Sequence, residues 1–308
     1  MKCAYCGKEA KGTREHIISC AILDLFPECY ITFDDARHTS HESDPMIKDV
    51  CADCNYRKIS YIDSYAKEFI SKYFTQTYNE DEQLEIEYDY VMIQKMLLKY
   101  AFNDMRSHKE DCSFFDQKII HYLMDAKDNT PKENVTVLCG LAVNVSPVPD
   151  AMLGNLKLRW CKDPFFYANS TIRNIDYGTG QVYLNENVEK EEFPDLKVSY
   201  IFKFNSVQFI LMCWDRGSKK IKQNKVVLEY QYPYSLMSEE NEKIVLPICT
   251  DEVNYHQFVH IHVRWDGLFE LGLMRRLASG GNYKYKEIYE KEWGKEEKKI
   301  IEGHPRGK

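Results

Sequence analysis

The chain has 308 residues, 44% of them hydrophobic and 29% charged, with 11 cysteines and a formal net charge of −7. That composition is globular rather than disordered, and no run of about 18 apolar residues occurs to suggest a membrane span. The acidic balance disfavours a basic coat that binds nucleic acid indiscriminately.

Residues 1–75 carry 10 Lys or Arg against 12 Asp or Glu, residues 76–130 carry 6 against 12, and residues 131–308 carry 25 against 24. The acidity sits in the middle segment, so the total says little about any local surface. Six of the cysteines fall in the first 54 residues. An odd total in a long chain, with no charged-then-apolar leader, argues against a secreted disulfide framework. The expected setting is the reducing cytoplasm, with thiols or thiolate–metal bonds and no membrane partner.

Residues 1–54 are polar and turn-rich, with a Cys-x-x-Cys pair at each end. From Asn55, the run NYRKISYIDSYAKEFISKYF sets Ile59, Ile62, Tyr65, Ala66, Phe69, Ile70 and Tyr73 at three-and-four spacing without Gly or Pro. This predicts an amphipathic helix. The acidic run NEDEQLEIEYD (79–89) reads as a linker or as the first turn of the next helix, where negative charge is favourable. YVMIQKMLLKYAFNDMRS (90–107), with Met92, Met96, Leu97, Tyr100 and Ala101 on one face, and FFDQKIIHYLMDA (114–126) predict a helical hairpin.

The pattern then changes to strands: NVTVLCGLAVNV (134–145), LKLRWC (156–161), FYANSTIRNIDYG (166–178), QVYLN (181–185), VSYIFKFNSVQFILMCW (198–214), VVLEYQY (226–232) and FVHIHVRW (258–265). They are rich in Val, Ile, Tyr and Phe and separated by Gly, Pro, Asn and Asp. The run 198–214 fits a hairpin pair or one long bent strand. LFELGLMRRLA (268–278) reads as a helix, followed by a charged helix or tail. The organisation expected is α+β: residues 1–75, a helical connector over 76–130, and a β-rich domain over 131–308 of unassigned role.

Cys3-x-x-Cys6 and Cys51-x-x-Cys54 have the spacing of two metal knuckles. Each knuckle presents two sulfurs, and two together make a tetrahedral structural Zn²⁺ site. A thioredoxin-like redox pair would need a surrounding βαβ pattern, which neither pair has. Cys20 and Cys29, in the apolar run ISCAILDLFPECY, read as buried packing residues.

Between the knuckles stands Arg14-Glu15-His16-Ile17-Ile18, and Asn55 follows the last knuckle cysteine directly. The order of a Cys pair, an acidic residue with His and two apolar residues, and a second Cys pair followed by Asn resembles the HNH, or ββα-metal, endonucleases, in particular zinc-knuckle nucleases of the recombination endonuclease VII type. The resemblance covers residues 1–75. It implies a zinc-stabilised ββα-metal domain, nucleic acid (with DNA favoured) as partner, and catalysis by Glu15, His16 and Asn55. Two cuts on a duplex would favour a homodimer.

The chemistry is consistent with those residue types. Hydrolysis needs a base for the attacking water and a cation for the developing charge. Histidine as a residue type changes charge near neutral pH, so His16 suits the base. Glu15 and Asn55 offer the hard oxygens that Mg²⁺ or another divalent ion takes. Adjacent strand residues point to opposite faces, so convergence of Glu15 and His16 needs a loop or bulge, which the resemblance implies.

The family's usual first acid is Asp, and its middle polar residue has no match in DPMIKDVC. His38, His41 or Asp49 could orient His16. Asp63, eight residues beyond Asn55, is about 12 Å further along a helix and reads as structural or supporting. Arg57 and Lys58 could contact phosphate. The basic run DRGSKKIKQNK (215–225) reads mainly as a solvated loop, and His256, His260 and His262 as a strand face. The alternative function is a non-catalytic zinc-dependent module that binds nucleic acid or protein.

Overall fold

β1 (Gly12–His16) runs antiparallel to β4 (Met46–Cys51), forming a two-stranded ribbon. The register slips between Thr13, opposite Val50, and Glu15, opposite Ile47, so β4 carries one extra residue there. The computed structural model describes residues 1–27, 29, 32–34, 39–41, 44–79, 81–142, 157–163, 167–168, 172–176, 181–184, 189–190, 193–231 and 234–248. The expected strand at 258–265, with His256, His260 and His262, and the expected helix at 268–278 lie outside these residues.

Between the ribbon strands lie α1 (Cys20–Leu23) and the hairpin of β2 (Thr32–Asp34) with β3 (Thr39–His41). The Ser19 hydroxyl caps α1 by accepting from the Ala21 N–H at 3.2 Å. After β4 comes a single π-helical turn, Cys54–Lys58, and then α2 (Ser60–Tyr73). The apolar stripe of α2 buries Ile62, Ala66, Phe69 and Ile70, as its spacing predicts.

α3 (Tyr90–Ser107) begins where the Asp89 carboxylate accepts from the Met92 N–H at 3.0 Å. α4 (Gln117–Met124) is capped by Asp116, which accepts from the N–H groups of Lys118 and Ile119. The two expected helices are thus present. Fifteen residues of α3 are buried, including Gln94, Lys95, Lys99, Asn103 and Asp104. The helix is therefore interior on almost all sides rather than on one apolar face.

The β-rich part comprises β6 (Val135–Leu141), β7 (Leu158–Lys162), β8 (Tyr167–Ala168), β9 (Ile172–Asp176), β10 (Gln181–Leu184), β11 (Glu189–Lys190), β12 (Leu196–Phe204) and β13 (Val207–Trp214). α5 (Ile221–Gln231), β14 (Ser235–Leu236) and β15 (Lys243–Leu246) follow. Five strands form one antiparallel sheet in the order β14-β6-β13-β12-β7. The run 198–214 is the hairpin pair β12–β13, turning at Asn205, whose φ is 50°.

Alternation along β13 covers both sheet faces. Val207, Phe209, Leu211 and Cys213 join the main core with α2 and α3, while Ile210, Met212 and Trp214 pack with Leu228 and Tyr234 on the other side. That main core runs from Cys3 to Leu246, so the segments expected as separate domains share one apolar interior.

Two expectations need correction. The stretch read as strand 226–232 falls mostly in α5. Leu228 is buried under the sheet and Val226 is 66% exposed, so tertiary contact overrides β-propensity. The acidic run 79–89 is neither linker nor helix start throughout: it contains β5 (Leu84–Glu87), which pairs with β15. Ile86 opposite Ile244 and Leu84 opposite Leu246 give it an apolar face that only a distant partner strand explains. Among the described residues, no helix is long and apolar enough to cross a membrane.

Two predictions follow from this packing. A Cβ on Gly12 would lie 2.3 Å from the Lys48 carbonyl oxygen, so Gly12→Ala should destabilise the fold by about 1–3 kcal/mol, read as a lower denaturation midpoint. Asp104, where α3 meets the sheet, accepts from Trp160 Nε1 and the Tyr200 hydroxyl, both at 2.9 Å. Burial raises its carboxyl above the ordinary value despite the lowering effect of His108 and these two donors. The folded state therefore binds the proton more tightly, and stability falls as pH rises from the unfolded carboxyl value through the folded one. Asp104→Asn should raise the melting temperature at neutral pH, with the gain vanishing at acid pH.

Candidate functional site

The first knuckle turns at Gly7, whose φ of 69° lets its N–H reach the Cys3 carbonyl at 2.9 Å. The second is made by the end of β4 and the π-helical turn. Ribbon pairing carries Cys51 to Gly12, and the Cys51 N–H donates to Cys3 Sγ at 3.3 Å. The ligand atoms of Cys3, Cys6, Cys51 and Cys54 all lie within 4.8 Å of one another. Among the described residues they are the one group of three or more His, Cys, Asp or Glu side chains close enough to hold a metal ion.

The cluster is electrostatically prepared for a cation. Burial pushes the Cys3 thiol up, but backbone N–H groups around Cys6, Cys51 and Tyr5 outweigh this and bring it down to about 7. Burial and the neighbouring sulfurs push Cys54 well up. Four sulfurs in so small a volume cannot share negative charge without a counter-ion, and Zn²⁺ accepts a tetrahedral thiolate set. The donor set fits a structural zinc.

Cys20, expected to pack, is exposed instead, while Cys29 packs against the core. α1 is only four residues long, and its buried position is Ile22.

On β1, alternation separates the two central residues of the sequence motif. Glu15 is buried, at 3% exposure, and His16 faces outward with 26% of its side chain exposed. The bulge lies on β4 and does not bring them to one face. His16 Nε2 is 3.4 Å from the Asp44 carboxylate. Asp49, a candidate to orient His16, instead pairs with Arg106. The side chains of His38 and His41 lie outside the described residues. Arg14 and Lys48 are exposed and, with Met46, share the outward ribbon face of His16.

Asn55 is buried in the π-helical turn, and its carboxamide nitrogen donates to Thr13 Oγ1 and to the Arg14 carbonyl, each at 3.0 Å. Thr13 Oγ1 in turn donates to the Val50 carbonyl at 2.8 Å. Asn55 therefore ties the turn to the ribbon beside Glu15 and His16. Arg57 and Lys58 both reach Asp53, at 2.6 and 3.5 Å, on the exposed side of the turn.

Glu15 faces α3. Lys99 Nζ lies 2.9 Å from Glu15 Oε1 and 2.6 Å from both oxygens of Asp63. Asn103 Nδ2 donates to Glu15 Oε1 at 3.2 Å and to the His16 carbonyl at 2.9 Å. Asn103 Oδ1 accepts from Tyr5 and from Arg106. Burial alone would push Lys99 down, but Asp63 and Glu15 outweigh it and raise it. Asp63 is thus structural, as its distance along α2 suggested.

These residues do not fit the divalent ion that the sequence motif implies. Such an ion on the Glu15 carboxylate would sit within about 5 Å of the ammonium, a repulsion of roughly 7 kcal/mol at an effective dielectric of 20. The neutral amide of Asn55 would remain as the other ligand, which is too little for a hard cation. Lys99, Asn103 and Asp44 were not singled out from sequence. The legible signal for the first two was a polar row at Lys95, Lys99, Asn103 and Arg106 inside an otherwise apolar helix.

The chain should hold one zinc per molecule, measured by atomic absorption. Cys54→Ser should lower that content and loosen the ribbon, seen as faster amide exchange in β1 and β4.

No family model, no curated protein and no solved structure matches the chain.

Proposed function

We propose that the chain is an endonuclease of HNH type that hydrolyses phosphodiester bonds in nucleic acid, with DNA as the expected substrate and His16 as general base. The observation that supports this most is the outward placement of His16 on a cysteine-anchored ribbon, with Asp44 beside its Nε2 and Arg14 and Lys48 on the same face.

Arg14 and Lys48 attract the anionic backbone to the ribbon face. With Nε2–H directed at Asp44, Nδ1 carries the lone pair that accepts a proton from water. Asp44 stabilises the imidazolium as it forms. The water oxygen bonds to phosphorus in line with the departing oxygen, whose P–O bond breaks and which takes a proton from solvent. Asn55 and the zinc knuckles hold the strand that carries His16, and Arg57 and Lys58 add positive charge beside it. The Mg²⁺ or other divalent ion of the sequence resemblance has no role in these steps. Two such sites in a homodimer would cut both strands of a duplex.

A second reading is favoured by one observation, the closed state of Glu15. With its carboxylate paired to Lys99, the chain would serve as a zinc-dependent module that binds nucleic acid or protein without cutting.

Plasmid cleavage separates the two. With zinc-loaded protein in Mg²⁺, Mn²⁺ or Ni²⁺ and in EDTA, the nuclease reading expects nicked or linear product. His16→Ala should lower the rate by at least about 100-fold while zinc content and circular dichroism stay unchanged. Full cleavage by that variant, or binding without cleavage in every metal, overturns the reading.

A further inference from the structure

We propose that Lys99 is the resident cation of the Glu15–Asp63 pocket: α3 inserts an ammonium where a divalent ion would otherwise bind, so Glu15 is a positioning residue and not a metal ligand. The geometry rests on three groups from three elements. Glu15 comes from β1, Asp63 from α2 and Lys99 from α3, with Lys99 1% exposed and Glu15 4% exposed at the side chain.

The ammonium has three protons. Its contacts are Glu15 Oε1 at 2.9 Å and the two Asp63 oxygens at 2.6 Å. A divalent ion entering this pocket would displace a buried ammonium from both carboxylates and leave it unpaired, which is the costly way to break such a group. Two acidic side chains from different elements already share one buried counter-charge.

The same helix also acts on His16. One turn beyond Lys99, the Asn103 carboxamide donates to Glu15 and to the His16 carbonyl. The strand is therefore held from its inner side at two consecutive residues, and its outer side is left to the His16 imidazole. Lys99 and Asn103 are positioning residues that replace a metal ion in fixing the strand.

The inference concerns metal binding and stands independently of cleavage, so it can fail or hold separately from the nuclease reading. The test uses the full zinc-loaded chain titrated with Mn²⁺ and read by electron paramagnetic resonance. Wild type and Glu15→Gln should bind the same amount of Mn²⁺, with no site that depends on Glu15. Lys99→Met, with its zinc and circular dichroism intact, should gain one Mn²⁺ per chain, and adding Glu15→Gln should remove it. One Mn²⁺ per wild-type chain that Glu15→Gln abolishes would overturn the proposal. So would a folded Lys99→Met that gains none. If Lys99→Met does not fold, the comparison of wild type with Glu15→Gln decides alone.

Discussion

The ammonium of Lys99, buried between Glu15 and Asp63, is the contact on which the arrangement of the N-terminal residues depends. It joins a strand, a helix and a second helix at one point where Lys99 and Glu15 are shut off from water and only Asp63 is partly exposed. Removing the lysine would leave two carboxylates without their shared counter-charge, and breaking a buried pair in this way costs about 3–5 kcal/mol. Replacement of the whole group by apolar side chains is a different matter and can be neutral. The value of the triad therefore lies in specificity of placement: only one position of α3 against β1 and α2 brings the one ammonium to both carboxylates.

From that point a continuous polar chain crosses the core. Asp63, Lys99, Glu15, Asn103, Arg106 and Asp49 follow one another by hydrogen bonds or ion pairs. Arg106 also lies over the Phe102 ring, 4.2 Å from its centroid. The chain links α3 to both strands of the ribbon, since Glu15 belongs to β1 and Asp49 to β4. The cysteine cluster fastens the other end of the same ribbon, through Cys51. The four-cysteine cluster and the ion network thus act on one small element from two ends, and the close approach at Gly12 lets its strands lie together. A ribbon this short would not hold its register in isolation.

The sequence made the chemical classes legible where spacing is local. Two Cys-x-x-Cys pairs announce four converging sulfurs whatever lies between them, and the helical stripe of α2 is visible in Ile62, Ala66, Phe69 and Ile70. Non-local features were not legible. β5 has an apolar face only because β15 covers it, and α5 is a helix because Leu228 finds the underside of the sheet. The charged groups of α3 were hardest of all. Lys99 and Asn103 look solvent-facing when a helix is read for one apolar stripe, and only a search for polar residues in a row among apolar ones would single them out. Asp44 gave no signal, because its meaning depends on the ribbon returning beside His16.

The period of a β-strand accounts for the division of labour at the site. Glu15 and His16 are neighbours in sequence and point to opposite sides, so one environment cannot serve both. On the inner side Glu15 is buried against the Lys99 ammonium, which suits a residue that fixes the strand. The outer side is partly wet and carries Arg14 and Lys48, which suits the general base proposed for His16. A shift of one residue in ribbon register would reverse these roles, placing His16 against Lys99 and exposing Glu15. The ion network and the knuckles oppose that shift together, since the first is anchored at Glu15 and the second at Cys51, at opposite ends of the bulge.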